Sequence, residues 1–229
     1  MKISIIIPVL NEAGNIGRLL NALQPYRGRG HELIVVDGAS EDETVSIARP
    51  LADSLLVAPA GRARQMNVGA SMAHGDVLWF LHADSQVPQH ADELISNALT
   101  NCASTWGRFD VRLSGSNKSL RIVEKMMNLR SRLTGIATGD QAIFVNHDLF
   151  DRVGGFPDQC LMEDIEISKM LKKFQSPVSL HEKLVTSSRR WEQNGIFRTI
   201  LLMWVLRAAY FFGVPAEKLC LRYGGASIQ

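Results

Sequence analysis

Cysteine, net charge and long uncharged apolar segments are all scarce in this chain. The three cysteines, Cys102, Cys160 and Cys220, form no C-x-x-C pair, which argues against a zinc–thiolate site and favours a reducing compartment. A net charge of +2 is too close to neutral to indicate a nucleic-acid-binding protein. A strand pattern follows Met1 and Lys2 directly, so we expect no signal peptide and a cytoplasmic location.

The composition is that of a folded globular protein. Hydrophobic residues make up 46% of the chain and charged residues 21%, a balance that argues against disorder. A length of 229 residues fits one large α/β domain. Because no repeat, low-complexity tract or linker interrupts the sequence, we predict a single domain with two halves.

Strand and helix patterns alternate along the first hundred residues. Buried strands are predicted at residues 3–9, 33–36, 55–58 and 76–81. Helical patterns separate them, and Ser40 three residues before Glu43 predicts a capping box at the start of the second helix. This alternation predicts a mostly parallel central sheet flanked by helices.

The pattern changes after residue 100. Phe109, Val111 and Leu113 alternate with polar residues, which predicts a half-exposed strand. A basic helix at 117–132, a short strand at 142–145 and a helix at 146–153 are expected to follow.

Two acidic clusters carry most of the functional information. Asp84 follows the apolar run at 77–81, whereas Glu163 and Asp164 open a segment with helical apolar spacing. In an α/β fold such carboxylates can converge on one pocket, where one holds a divalent cation and another takes a proton. The alternatives are that Asp84 belongs to a turn and that the helix dipole merely favours acids in a first turn, which would explain Glu163, Asp164 and Glu166.

Other candidates are ambiguous by themselves. Glu12 and Asp37 follow strands, where either ligand binding or turn chemistry explains an acid. His82 ranks behind Asp84 as a metal ligand and fits a supporting role better. The remaining candidates could bind phosphate or sugar, or belong to solvated faces and surface ion pairs; they are Arg62, Arg64, Asn67, Arg190 and Trp191.

The order of these motifs resembles that of the family-2 glycosyltransferases of GT-A fold. The segments are I-S-I-I-I-P-V-L-N-E from residue 3, V-V-D-G-A-S-E-D from residue 35, H-A-D from residue 82 and E-D from residue 163. The resemblance covers roughly residues 3–191, and the segments at 61–67 and 80–84 are similar to those of a small bacterial branch of the family.

The resemblance implies a role for each matching position. Pro8, Glu12 and Asp37 would line the nucleotide pocket, Asp84 would hold Mn²⁺ or Mg²⁺, and Asp164 would be the catalytic base. Glu163 is the second acid of the catalytic pair; nucleotide-sugar contacts are expected from Asp84, Arg62, Arg64, Asn67, Arg190 and Trp191. Two positions depart from the family pattern: His82 replaces the first acid of D-x-D, and Gly38 replaces the second of two paired aspartates.

We therefore expect a metal-dependent inverting transfer of a hexosyl group from a nucleoside-diphosphate sugar to an acceptor hydroxyl. Residues 1–100 would bind the donor, 101–192 would supply the acceptor and catalytic side, and 193–229 would form an apolar helical extension. Nucleotidyl transfer is a rival, although the acidic segment after the first strand lacks the Gly-rich basic loop that it needs. A non-catalytic, membrane-peripheral scaffold of the same fold is the other rival.

Residues 196–214 are nearly all apolar, interrupted by Arg198 and Arg207. Because a bilayer span needs about 20 apolar residues, a transmembrane helix is not expected here. A helix packed in the core or in a homodimer is preferred, with peripheral membrane contact and a lid over a lipid-linked acceptor as alternatives.

Overall fold

The computed structural model describes residues 1–101 and 104–223. Seven strands form one sheet in the order β3-β2-β1-β4-β6-β5-β7. Their bounds are β1 Ile3–Val9, β2 Glu32–Asp37, β3 Ser54–Val57, β4 Val77–Phe80, β5 Trp106–Leu113, β6 Phe144–Asn146 and β7 Val178–Thr186.

Helices connect these strands and cover the sheet. Those before β5 are α1 Ala13–Gly28, α2 Thr44–Ala48, α3 Arg62–Ser71 and α4 Ala91–Asn101. After β5 come α5 Lys118–Thr134, a 3₁₀ turn at Gly139–Gln141, α6 His147–Val153, α7 Glu163–Lys172, α8 Arg189–Asn194, α9 Ile196–Phe211 and α10 Ala216–Tyr223. Within the described residues, no helix has the length and hydropathy required to cross a bilayer.

The sheet is mostly parallel, as the alternation of strands and helices predicts. Strand β1 pairs in parallel with β2 and β4, β2 with β3, and β5 with β7, whereas β6 runs antiparallel to both β4 and β5. The antiparallel β4–β6 pair places the residues before β6 beside the end of β4, where the Phe80 amide donates to the Ile143 carbonyl. This juxtaposition brings the loop before β6 to the edge at which the parallel strands end.

Two apolar cores lie on the two faces of the sheet. Trp79 packs on one face with residues of α1 and α4, and Phe80 packs on the other with residues of α3, α6 and α7. Alternate residues of β4 thus point into opposite cores, because successive side chains of a strand face opposite sides. Both faces of this strand are buried, as its unbroken apolar run predicts.

The prediction of a half-exposed strand at β5 is wrong. Its polar positions Arg108 and Asp110 are 0% and 7% exposed, and Arg112 alone in the strand lies at the surface. Arg108 forms an ion pair with Asp110, and Asp110 also pairs with Arg132 from α5. Because α5 covers this face, the polar residues satisfy one another instead of facing water.

The capping box predicted at Ser40 and Glu43 is also wrong. Helix α2 begins at Thr44, and the Ser40 hydroxyl donates to Asp37 Oδ1 while accepting from the Asn11 amide. Asp42 Oδ1 instead accepts from the Thr44 amide. Ser40 is therefore part of the loop after β2 and binds the segment that follows β1.

Candidate active site

The acidic pair Glu163-Asp164 begins α7 on a constrained backbone. Met162, just before it, has φ +66° with its side chain buried, a conformation that is costly for a residue other than glycine and is often found at functional sites. Asp164 accepts hydrogen bonds from the Gly139 amide at 3.0 Å and from the Ile165 amide at 2.8 Å. Both carboxylate oxygens are thereby fixed in direction.

Glu163 lies deeper than Asp164. Its side chain is 6% exposed, and Arg62 Nη1 lies 3.5 Å from its Oε1. Burial raises the pKa of Glu163, and the nearby charge of Asp164 acts in the same direction, although Arg62 opposes both. Glu163, Asp164, Arg62 and His82 line one narrow pocket at this edge of the sheet.

His82, which lines this pocket, lies beside Asp140. His82 Nδ1 lies 3.5 Å from Asp140 Oδ1, and a Cβ at Gly139 would lie 2.7 Å from His82 Nε2, so this approach requires a glycine there. Burial would raise the pKa of Asp140, but the His82 ring and the guanidinium groups of Arg62 and Arg207 together lower it. Asp140 is not among the site residues predicted from the sequence; the Gly-Asp pair shortly before a short strand was the available signal.

Asp84 lies in the turn after β4, which His82 begins. Its Oδ1 is 3.5 Å from the hydroxyl of Thr186 at the end of β7, and His82 and Ser85 close the turn through a 3.1 Å backbone hydrogen bond. No group of three His, Cys, Asp or Glu side chains in the described part of the chain forms a metal cage. A half-buried carboxylate with hard oxygen ligands fits Mg²⁺ or Mn²⁺ whose other ligands are phosphate oxygens and water.

The ends of β1 and β2 form the adjoining part of the edge. Asp37 is buried and accepts from the amides of Ala39 and Ser40, both at 3.0 Å. Pro8 and Glu12 are half-buried nearby, and Glu12 Oε2 accepts from the Asn15 side chain. The sequence therefore correctly places these residues at the carboxyl edge of the sheet.

Gln65 explains why glycine occupies position 38. Its buried amide donates 2.8 Å hydrogen bonds to the carbonyl oxygens of Val9 and Val36. A Cβ at Gly38 would lie 3.1 Å from Gln65 Nε2. The glycine leaves room for this amide, which joins β1 to β2 just where the nucleotide pocket is predicted.

The structure does not bring the remaining candidates to the acidic pair. Arg64 forms an exposed 2.7 Å ion pair with Asp158, and Asn67 forms two hydrogen bonds with the backbone of Phe156. Trp191 packs against the apolar cluster between β5 and α5. Arg190 lies in α8, and its side chain falls outside the described part of the structure.

Comparison with known families identifies the family of this chain. The sequence model described as "Glycosyl transferase family 2" matches residues 4–149, well over half of the chain. The chain belongs to glycosyltransferase family 2. The match includes β1, β2 and the H-A-D turn, and it ends before Glu163-Asp164.

Relatives of this family-2 chain extend the similarity beyond that region. The beta-monoglucosyldiacylglycerol synthase of Synechocystis is 24% identical over 224 residues, covering 84% of this chain and 46% of the relative. The chain spans about half the length of the two curated relatives that it matches first: it covers 57% of one and 46% of the other.

Solved structures share the fold. Staphylococcus aureus TarS 1-349 in complex with UDP-GlcNAc superposes with a TM-score of 0.65 at 20% identity, covering 82% of this chain and 58% of that one. Glucosyl-3-phosphoglycerate synthase from Mycobacterium tuberculosis, with Mn²⁺, UDP and glucosyl-3-phosphoglycerate, gives 0.61 at 17% identity, with coverages of 81% and 70%. The family-2 chain therefore has a GT-A fold.

Proposed function

We propose that this protein is a metal-assisted inverting glycosyltransferase that moves a hexosyl group from a nucleoside-diphosphate sugar to an acceptor hydroxyl. The observation that carries the proposal is the position of Asp164. Backbone amides fix its carboxylate in a pocket that also contains Glu163, Arg62 and His82, at the edge where α/β sheets bind ligands. The UDP-GlcNAc and UDP complexes of the two structural neighbours support a nucleotide-sugar donor.

Asp164 acts as the general base in this proposal. It takes the proton of the acceptor hydroxyl as that oxygen attacks the anomeric carbon from the side opposite the departing diphosphate, which inverts the configuration. Glu163 is held against Arg62, so it orients that guanidinium toward the phosphates of the donor. Arg62 can then stabilise the charge that develops on the leaving group.

Asp84 would hold the divalent cation, together with phosphate oxygens of the donor. When bound, the cation would supply positive charge that neutralises the departing nucleoside diphosphate. The Mn²⁺ in a neighbouring structure that also holds UDP supports this assignment. His82 is paired with Asp140 and would orient the turn that carries Asp84.

The donor nucleotide would lie over the ends of β1 and β2. Pro8 and Glu12 border that region, and Asp37 orders its loop by binding the amides of Ala39 and Ser40. The acceptor would approach from the side of α7 and α9. A lipid-linked acceptor is consistent with the name of the Synechocystis relative, which specifies a glycolipid.

A thermal-shift screen of nucleoside-diphosphate sugars with and without Mn²⁺, followed by a transfer assay with the best donor, tests the function. We expect one donor to raise the melting temperature selectively, because a ligand that binds the native state stabilises it. Asp84→Ala should remove the Mn²⁺-dependent part of this shift, and Asp151→Ala, an exposed acid of α6, should not. Nucleoside-diphosphate affinity that is the same with and without Mn²⁺ in the unmodified protein would contradict the metal assignment.

A further inference from the structure

Two arginines close to the acidic pair have guanidinium nitrogens without acceptors. Among the described residues, Nε and Nη2 of Arg130 and Nε of Arg207 are buried and form no hydrogen bond. Arg130 Nη1 donates to the carbonyl oxygen of Ile136 at a long 3.4 Å. Buried polar groups are nearly always satisfied in native proteins, so unsatisfied charged donors beside a candidate active site indicate a ligand.

Packing brings both arginines close to Asp164. Leu206, immediately before Arg207, packs in one apolar cluster with the two residues that flank the acidic pair and with the residue whose carbonyl binds Arg130; these are Met162, Ile165 and Ile136. The electrostatics agree with this placement. Burial and the charge of Arg207 lower the pKa of Arg130 to about 10, with Asp164 opposing them. Arg130 therefore remains cationic at neutral pH.

The alternative is that these arginines only neutralise the nearby acids and bind no ligand. The charge of Arg207 does reach Asp140, whose pKa it helps to lower. Yet the ion pairs formed by the described residues include neither guanidinium, whereas Arg132, from the same helix as Arg130, pairs with Asp110 at 2.6 Å. Two cations that interact with each other and form no direct ion pair repel each other, so an anion that bridges them would be bound strongly.

We propose that Arg130 and Arg207 bind a phosphate group of the acceptor next to Asp164. The assignment of this group to the acceptor rests on the proposed function, because Asp164 is there the base for the acceptor hydroxyl. Guanidinium groups match phosphate oxygens with paired hydrogen bonds, and two of them suit a doubly charged group. A phospholipid headgroup and a soluble phosphate ester share this chemistry.

Calorimetric titration with inorganic phosphate tests this site. The titration is run on the nucleotide-free protein and on protein saturated with UDP and Mn²⁺, so that binding at the donor site is separated from binding at the arginines. We expect Arg130→Gln and Arg207→Gln each to weaken phosphate binding by about tenfold or more, or about 1.4 kcal/mol. Arg198→Gln, an exposed arginine of the same helix α9, should change nothing.

Thermal melts of the same variants exclude a purely structural role. Removing an unpaired buried charge should leave the melting temperature unchanged or raise it. A lowered melting temperature with unchanged phosphate affinity would identify the arginines as counterions of the acids and overturn the proposal, as would the absence of phosphate binding to the unmodified protein. Because these measurements need no turnover, they are independent of whether sugar transfer is observed.

Competition distinguishes the two sources of the phosphate. Glycerol 3-phosphate should displace inorganic phosphate if the acceptor is a soluble ester. Phosphatidylcholine vesicles that contain phosphatidic acid should displace it, and pure phosphatidylcholine vesicles should not, if the acceptor is a lipid.

A second and independent observation concerns the outer surface of α5 and α9. Of the fifteen large hydrophobic side chains that are exposed among the described residues, ten lie on these helices or just after α9, and an eleventh lies on α10. Those on α5 are Ile122, Met126, Leu129 and Leu133, and those from α9 onward are Phe197, Leu201, Trp204, Val205, Phe211, Phe212 and Leu221. Such a concentration marks an interaction surface.

Helix α9 is covered on one side only. Ile196 and Ile200 pack against the cluster between β5 and α5, and Leu206 packs near the start of α7. The exposed residues recur at 197, 201, 204, 205 and 211, which is the spacing of one helix face. In the described chain this apolar face has no partner. The sequence prediction that was preferred, a helix packed in the core or in a dimer, therefore does not explain what covers it.

The charges beside this face favour a lipid surface over a second subunit. The exposed charged residues of α5 and α9 are all basic: Lys118, Lys125 and Arg198. The one acid of the two helices, Glu124, is buried. Apolar and aromatic residues next to basic ones are typical of helices that lie on anionic membranes. A symmetric dimer through the same face would bring like charges together.

We infer that the exposed face of α5 and α9 docks onto an anionic membrane. The protein should float with vesicles of phosphatidylcholine and phosphatidylglycerol and less with phosphatidylcholine alone. Leu201→Asp and Phe211→Asp should each lower partitioning into the mixed vesicles by about tenfold or more, with unchanged melting temperature. The control is Val57→Asp, an exposed apolar position on β3, 69% exposed.

Two results would overturn this inference. One is that the protein does not bind to the mixed vesicles. The other is a concentration-dependent dimer in light scattering that Leu201→Asp dissociates, because that would assign the face to a second copy of the chain.

Discussion

Replacing Asp164 with asparagine should lower the rate of sugar transfer by about 10²–10⁴-fold, the usual contribution of a general base. The substitution keeps the size of the side chain, and the asparagine carbonyl oxygen can still accept the hydrogen bond from the Gly139 or Ile165 amide. What is lost is a carboxylate that can take the proton of the acceptor hydroxyl. Single-turnover kinetics with saturating donor measure the effect.

Donor binding separates this loss from a structural one. The nucleotide-sugar affinity of Asp164→Asn should equal that of the unmodified protein, because the proposed donor contacts lie at Asp84, at Arg62 and at the ends of β1 and β2. Glu163→Gln is the matched comparison and should lower transfer less, since Glu163 is assigned to holding Arg62 at 3.5 Å. Full activity of Asp164→Asn combined with an inactive Glu163→Gln would show that the base is Glu163.

The largest loss of stability is expected from Asp110→Ala. Asp110 pairs with Arg108, which is fully buried, and with Arg132 Nη2 at 2.6 Å. Removing the shared carboxylate leaves the Arg108 charge uncompensated in the interior, which typically costs about 3–5 kcal/mol. Burial already lowers the pKa of Arg108, while Asp110 acts to raise it, so the guanidinium depends on this partner. Urea-induced unfolding measures the change in the free energy of unfolding.

Asp158→Ala is the control for this prediction. Asp158 pairs with Arg64 at 2.7 Å, but the two side chains are 61% and 52% exposed, and exposed pairs contribute about 0–1 kcal/mol. A loss of less than about 1 kcal/mol for Asp110→Ala would show that water or a shifted side chain compensates Arg108. The polar face of β5 would then be less constrained than its contacts indicate.

The sequence predicts the donor half of this protein well because its signals are local. The unbroken apolar runs of β1, β2 and β4 predict strands buried on both faces. Parallel strands end at the same edge of a sheet, so Asp37 and Asp84 are expected at one edge once the strands are known. The start of α7 at Glu163 follows in the same way from the spacing of the apolar residues after it.

Local signals fail where a side chain is satisfied by a distant element. Alternation along β5 predicts a face toward water, but α5 covers that face and Arg132 reaches Asp110 from 22 residues away. Ser40 and Glu43 match a capping box, but the buried carboxylate of Asp37 binds Ser40 instead. In both places, a partner that is remote or buried prevails over the local pattern.

Several contacts of the candidate site depend on tertiary structure alone. Asp140 meets His82 because β6 pairs antiparallel with β4 and places the loop before β6 beside the end of β4. Arg130 and Arg207 lie 77 positions apart in the sequence, and no periodicity relates them; the packing of α9 over α5 and α7 brings them together. The sequence by itself determined the strands, the edge at which they end and the acids along it. Which charges meet there was decided by helix packing, because contacts between distant segments leave no periodic trace in the chain.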